Sequence, residues 1–152
     1  MSSVEFKFNR IMASLIDGFV MLVLFIGITI MPLIAFLKDT ISGHFILSDL
    51  LWMLFSFFGA FCVWVLYLFL SSLVFSHSTL GMKLNKLTFA RSNGSFLSFR
   101  HILFRSIAVV ICIVFSLGFT LIVDLISTIC SDNGKTFHDI VTSTKVVKVD
   151  DF

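Results

Sequence analysis

Residues 50–75 read LLWMLFSFFGAFCVWVLYLFLSSLVF, without a single Lys, Arg, Asp or Glu. A helix needs roughly 20 mainly apolar residues to cross the hydrocarbon core of a bilayer, and this stretch exceeds that length. It reads as a transmembrane helix and assigns the whole chain to the membrane. Residues 11–37, IMASLIDGFVMLVLFIGITIMPLIAFL, form a second such block, interrupted only by Asp17 and by Pro32. Proline removes a backbone donor, so the helix is expected to kink or end near Pro32 and to span usefully from about Ile11 to Met31. Lys7 and Arg10 ahead of this block imitate a signal peptide, but Asp17 lies inside it and no small-x-small cleavage pattern follows.

The composition agrees. The chain has 152 residues, 58% of them hydrophobic and 13% charged, with a net charge of +2 and a mean hydropathy of +1.07. Soluble domains carry about a quarter charged residues. The basic residues form no dense run interleaved with exposed aromatics, so nucleic-acid binding is not indicated. Cys62, Cys112 and Cys130 lie in apolar blocks at spacings that suit neither a zinc site nor a CxxC pair. No Gly-rich phosphate loop, GxSxG elbow or paired histidines at metal spacing occur, and the expectation is a protein without enzymatic activity, cofactor or metal.

The expected fold is an α-helical integral membrane protein: helix 1 at about 11–37, helix 2 at about 50–75, a basic loop over 76–105, a third apolar segment over 106–130 and a polar tail over 131–152, in one domain. Within the loop, Lys86 to Arg91, the turn Ser92-Asn93-Gly94 and Ser95 to Phe99 read as a small cytoplasmic β-hairpin. Trp52, Trp64 and Tyr67 are candidates for interface depth, with only Trp52 close to a block end.

The third segment has two readings. Ser106 to Val123 would be about 27 Å long as one helix, nearly a full span, whereas a fold at Ser116-Leu117-Gly118 would make it re-entrant. Basic residues near helix ends favour the cytoplasmic side. With the amino terminus inside, a third span leaves Lys7, Arg10, Lys83, Lys86, Arg91, Arg100 and Arg105 inside and Lys38, Lys135, Lys145 and Lys148 outside, seven against four. A returning segment moves the three tail lysines inside, ten against one, and is preferred. The tail run Thr144 to Val149 is then expected to pair as a strand with Lys86 to Arg91, since a lone two-stranded hairpin is marginal.

Charges within an apolar span are costly and mark functional sites. Arg10 and Asp17 are seven residues apart, on nearly the same helix face, about 10.5 Å apart along the axis. Ala13 and Ser14 between them leave room for the guanidinium to reach toward the carboxylate, either as a functional pair or as a structural one fixing helix packing. Asp124 is a second intramembrane acid, close enough to the tail to be simply interfacial. His138 and Asp139 are adjacent in the tail, where such pairs commonly form a capped turn.

These pieces, in order, are Arg10 with Asp17-Gly18, Thr79-Leu80-Gly81-Met82-Lys83, Asn93-Gly94, Arg100, Arg105, Phe137-His138-Asp139-Ile140 and Thr144-Lys145-Val146-Val147. From about Phe8 to Val149 the chain resembles the RDD family of small bacterial membrane proteins. The resemblance implies that Arg10, Asp17 and Asp139 are the family's named arginine and two aspartates; Gly81, Lys83, Arg100, Arg105 and His138 in the matching motifs, and Asp124 as the second intramembrane acid, are secondary candidates. The chain departs from the family in having Met82 between Gly81 and Lys83, and in keeping only Lys135 of a basic cluster before His138. The resemblance implies a bacterial inner-membrane protein with a role in transport of an unidentified ligand, and the charge distribution puts the amino terminus in the cytoplasm. Two or three helices are few for a solute path, so that role calls for a homo-oligomer or a larger membrane partner besides the bilayer. The alternative is a non-transporting scaffold or assembly factor that recruits a protein through its loop and tail.

Overall fold

The computed structural model describes residues 3–44, 47–91, 97–116, 118–130 and 136–149. Two long helices dominate, α1 (Ser3–Ile41) and α2 (Leu47–Val74). Both are long and apolar enough to cross a membrane. Their surfaces invert the pattern of a soluble protein: Phe19, Phe55 and Phe58 are about two-thirds exposed, at 67%, 69% and 68%. An apolar patch of this extent has no stable place in water, so lipid is the medium these faces suit.

The two helices run antiparallel. Trp64 donates its indole N–H to the Met21 carbonyl at 2.7 Å, and Phe25 packs against Phe57, Phe61 and Trp64 with ring centroids 5.4–6.2 Å apart. Trp64 is therefore an interhelical contact. Of the two outcomes expected at Pro32, a kink or an end, the end does not occur: α1 continues through the proline to Ile41. Proline has no N–H to offer the Ile28 carbonyl, and continuing the helix on both sides of it lets the neighbouring backbone groups pair where no water can serve them. What ends α1 is Gly43, whose φ of +74° closes a Schellman turn: His44 N–H donates to Asp39 O at 2.9 Å and Gly43 N–H to Thr40 O at 3.2 Å.

Beyond α2 the chain builds a cap at the amino-terminal end of α1. It contains α3 (Leu80–Leu84), β1 (Leu87–Arg91), α6 (Phe137–Val141) and β2 (Thr144–Lys148). β1 and β2 pair antiparallel, with Leu87 opposite Lys148 and Arg91 opposite Thr144. The partner of β1 is thus the tail, as the β-branched run suggested. The local hairpin with Ser95 to Phe99 is not formed: Leu97 and Ser98 are not strand and Phe99 starts a helix, while the turn at Asn93-Gly94 lies outside the described residues. The tail strand offers a fuller match, because Val146 joins Leu87 and Phe89 in a core with Ala13, Met82, Leu97 and Ile102.

The third apolar segment is broken. α4 (Phe99–Phe115) is capped at Ser116, Gly118 has φ +85°, and α5 (Phe119–Cys130) follows. The Ser116 hydroxyl accepts the Thr120 N–H at 3.1 Å and so starts α5. Both outer ends of this helical hairpin meet the same end of α1. Arg105 near the start of α4 shares Asp139 with Arg10, and Lys7 donates to the Ile129 carbonyl near the end of α5 at 2.9 Å. The segment leaves the cap and returns to it. Because α4 begins at Phe99, Arg100 and Arg105 lie on a helix and not in the basic loop.

Candidate functional site

Asp139 is the centre of the cap, 1% exposed. Thr136 and Asp139 form a capping box on α6: Thr136 N–H donates to Asp139 Oδ2 at 3.1 Å and Asp139 N–H to Thr136 Oγ1 at 3.4 Å. This turn aims the carboxylate away from water and toward two guanidinium groups. Arg10 Nη2 donates to Oδ2 and, at 3.3 Å, to Thr136 Oγ1. Arg105 Nη1 donates to Oδ1 at 2.8 Å, to Thr142 Oγ1 at 3.2 Å and to Thr144 Oγ1. Its guanidinium also lies 3.9 Å from the centre of the Phe89 ring.

Burial alone would push the Asp139 carboxyl up. The Arg105 and Arg10 guanidinium groups, with the Thr136 N–H, outweigh it and hold the group well below the usual carboxylate range. One carboxylate therefore joins α1, α4, α6 and β2, elements far apart in sequence.

Asp17 belongs to a different junction. Tyr67 of α2 donates to Oδ1 at 2.7 Å, the Gly81 N–H donates to the same oxygen at 2.9 Å, and the Thr79 hydroxyl donates to Oδ2. Thr79 is also the N-cap of α3, accepting from Met82 N–H at 3.4 Å. Gly81 sits so close to α1 that a Cβ there would collide with the Ala13 carbonyl. The Thr79-Leu80-Gly81 run is thus a docking turn, with glycine required by the approach and threonine by the carboxylate.

The ion pair expected between Arg10 and Asp17 is not formed. The two side chains leave α1 toward different neighbours: the Asp17 carboxylate takes three neutral donors and the Arg10 Nη2 takes the buried Asp139 carboxylate. Sequence reasoning missed Tyr67 and Thr136. In the sequence the first is only one of three aromatic candidates for interface depth, and the second is legible only as the threonine three residues ahead of Asp139. Arg100 lies on the cap surface, apart from Asp139, and Lys83 is exposed. The side chain of His138, and all of Lys135, lie outside the described residues.

Between α1, α2, α4 and α5 is a cavity of about 650 Å³, walled largely by apolar side chains. Arg10, Asp17, Arg105 and Asp124 all contribute to its wall, as do Ser14 and Thr128. Asp124 of α5 thus shares the cavity wall with Arg105 of α4. Among the described residues no cluster of His, Cys, Asp or Glu is arranged to hold a metal.

Comparison with known proteins finds no matching curated protein and no matching solved structure. A family profile does match, that of the RDD family, over residues 6–143, which takes in Arg10, Asp17, both interhelical junctions and Asp139. The chain belongs to the RDD family.

Proposed function

We propose that this RDD protein is a multi-pass, non-enzymatic protein of the bacterial cytoplasmic membrane that carries a small solute, or assists its carriage, through the cavity between α1, α2, α4 and α5. The observation behind this reading is the wall of that cavity, where two acids and two arginines lie among mainly apolar side chains. Ionisable groups in such surroundings are costly and mark pathways. The short α4–α5 hairpin then dips into the bilayer and returns, and lines the path without crossing.

The distribution of charge supports an inside orientation for the cap. Lys7, Arg10, Lys83, Lys86, Arg91, Arg100, Arg105, Lys145 and Lys148 belong to it, whereas Lys38 lies near the opposite end of α1. Two spans and a re-entrant hairpin enclose little on their own, so the working unit is a homo-oligomer or a complex with a larger membrane partner.

Flux of a panel of monovalent ions and small charged solutes into vesicles containing the purified protein tests the proposal. Uptake of at least one solute is expected, with loss of that uptake in Asp124→Asn at unchanged protein content. Absence of flux across the panel, together with a protein that co-purifies through the cap, would instead support the scaffold reading.

A further inference from the structure

A second cleft, of about 390 Å³, opens on the outside of the cap between the end of β1, the first turns of α4 and the turn joining α6 to β2. Arg91, Arg100 and His101 line it together with the Thr142–Ser143 turn, and no carboxylate does among the described residues. Neither arginine has an ion-pair or hydrogen-bond partner among the described residues. Ser98 Oγ lies 2.7 Å from His101 Nδ1, which fixes the ring and leaves Nε2 as its other hydrogen-bonding nitrogen. Among the described residues two arginines and a histidine thus converge without a counter-ion, in contrast to Arg10 and Arg105, which share Asp139.

The helix beneath the cleft identifies what brings the missing anion. Arg100, Phe104, Ile107 and Ile111 are spaced by four, three and four residues, so they form one stripe along α4. All four are exposed. The stripe is about 16 Å long, close to half of the roughly 30 Å hydrocarbon core, which is the depth of one leaflet. A basic head group site followed by an apolar track of one leaflet's length is the shape of a phospholipid.

We propose that this cleft binds the phosphate of an anionic phospholipid, with Arg91 and Arg100 as its donors and the acyl chains lying along Phe104, Ile107 and Ile111. Basic pockets at the cytoplasmic membrane face recognise acidic lipid head groups in this way. The site is separate from the cavity lined by Asp17 and Asp124, and the inference stands whether or not a solute is carried there. A bound lipid would neutralise the cleft and fix the start of α4 at head-group depth.

The test uses the full-length protein, purified in mild detergent with phosphatidylglycerol and phosphatidylcholine of identical chains, and lipid retention read by native mass spectrometry. Retention of phosphatidylglycerol over phosphatidylcholine by about thirtyfold is expected from two arginines, and its loss in R91Q/R100Q. Equal retention of the two lipids by the unmutated protein overturns the proposal, as does an undiminished preference in the double variant. Soluble glycerol phosphate, added in large excess, should fail to displace the lipid; displacement at concentrations comparable to the lipid would assign the cleft to a free phosphate ester. Should R91Q/R100Q fail to fold, the unmutated protein decides by salt: the preference must fall as ionic strength rises, and a salt-independent preference refutes an electrostatic site.

Discussion

Arg10 and Asp139 form an ion pair whose side chains are 6% and 0% exposed, between the second turn of α1 and a one-turn helix near the other end of the chain. Removing one partner of such a pair leaves a buried charge uncompensated. Asp139→Asn strands both Arg10 and Arg105, so a loss of about 3–5 kcal/mol is expected. Denaturant unfolding in detergent, followed by the fluorescence of Trp52 and Trp64, measures it, and a variant as stable as the parent would refute the pair's structural role. Asp139→Glu, which keeps the charge but overfills a closed site, should fall between the two.

The low carboxyl pKa of Asp139 makes a statement about pH. Its folded-state pKa is depressed below the usual 3.8, so the stability it contributes is fully present above that value and is lost as pH falls through the folded-state pKa. Thermal midpoints should therefore show no loss from this group between neutrality and about pH 5, and a decline only under strongly acid conditions. A midpoint that drops between pH 7 and pH 5 in the parent, and not in Asp139→Asn, would contradict this assignment.

Asp17 should couple energetically to α2 and not to its helix neighbour. In a double-mutant cycle, Asp17→Ala with Tyr67→Phe is expected to show an interaction of about 0.5–3 kcal/mol. The cycle of Asp17→Ala with Arg10→Ala should give close to zero. The reverse ranking would restore the pairing suggested by the seven-residue spacing.

Gly81→Ala is predicted to destabilise by about 1–3 kcal/mol or more, because its Cβ meets the rigid carbonyl of Ala13 and not a side chain that can swing away. Ala13→Gly does not relieve the clash, since the obstacle is backbone. Chemical denaturation of both single variants and of the double variant checks this, and full rescue by Ala13→Gly would show that the contact is made by side chains.

The orientation follows from accessibility. In a cysteine-free background, His44→Cys in intact spheroplasts should react with a membrane-impermeant reagent, whereas Lys86→Cys should react only after permeabilisation. Both positions are exposed in the fold, so a silent site reports sidedness and not burial. Equal labelling at both before permeabilisation would invalidate the cap's assignment to the cytoplasm.

The linear sequence by itself determined the medium and the two spanning helices, because apolarity sustained over residues 11–37 and 50–75 is a local property that needs no partner to be read. It also carried the break at Gly118, where a residue without Cβ permits φ +85°, and the strand run at Thr144, whose β-branched residues suit no other element outside the apolar blocks. It did not determine how the charges pair. Helical spacing put Arg10 beside Asp17, but spacing along one helix states only which residues share a face, while the energy of a buried charge depends on whatever other elements bring within about 3 Å. The tertiary structure alone decided that Arg10 and Arg105 converge on Asp139, that Tyr67 and the Thr79–Gly81 turn close around Asp17, and that Leu97 and Ser98 do not join β1, which keeps only the tail strand that the β-branched run had suggested. The contacts around Asp139 and Asp17 span between 34 and 129 residues of chain, and helical periodicity cannot encode a meeting between side chains so far apart.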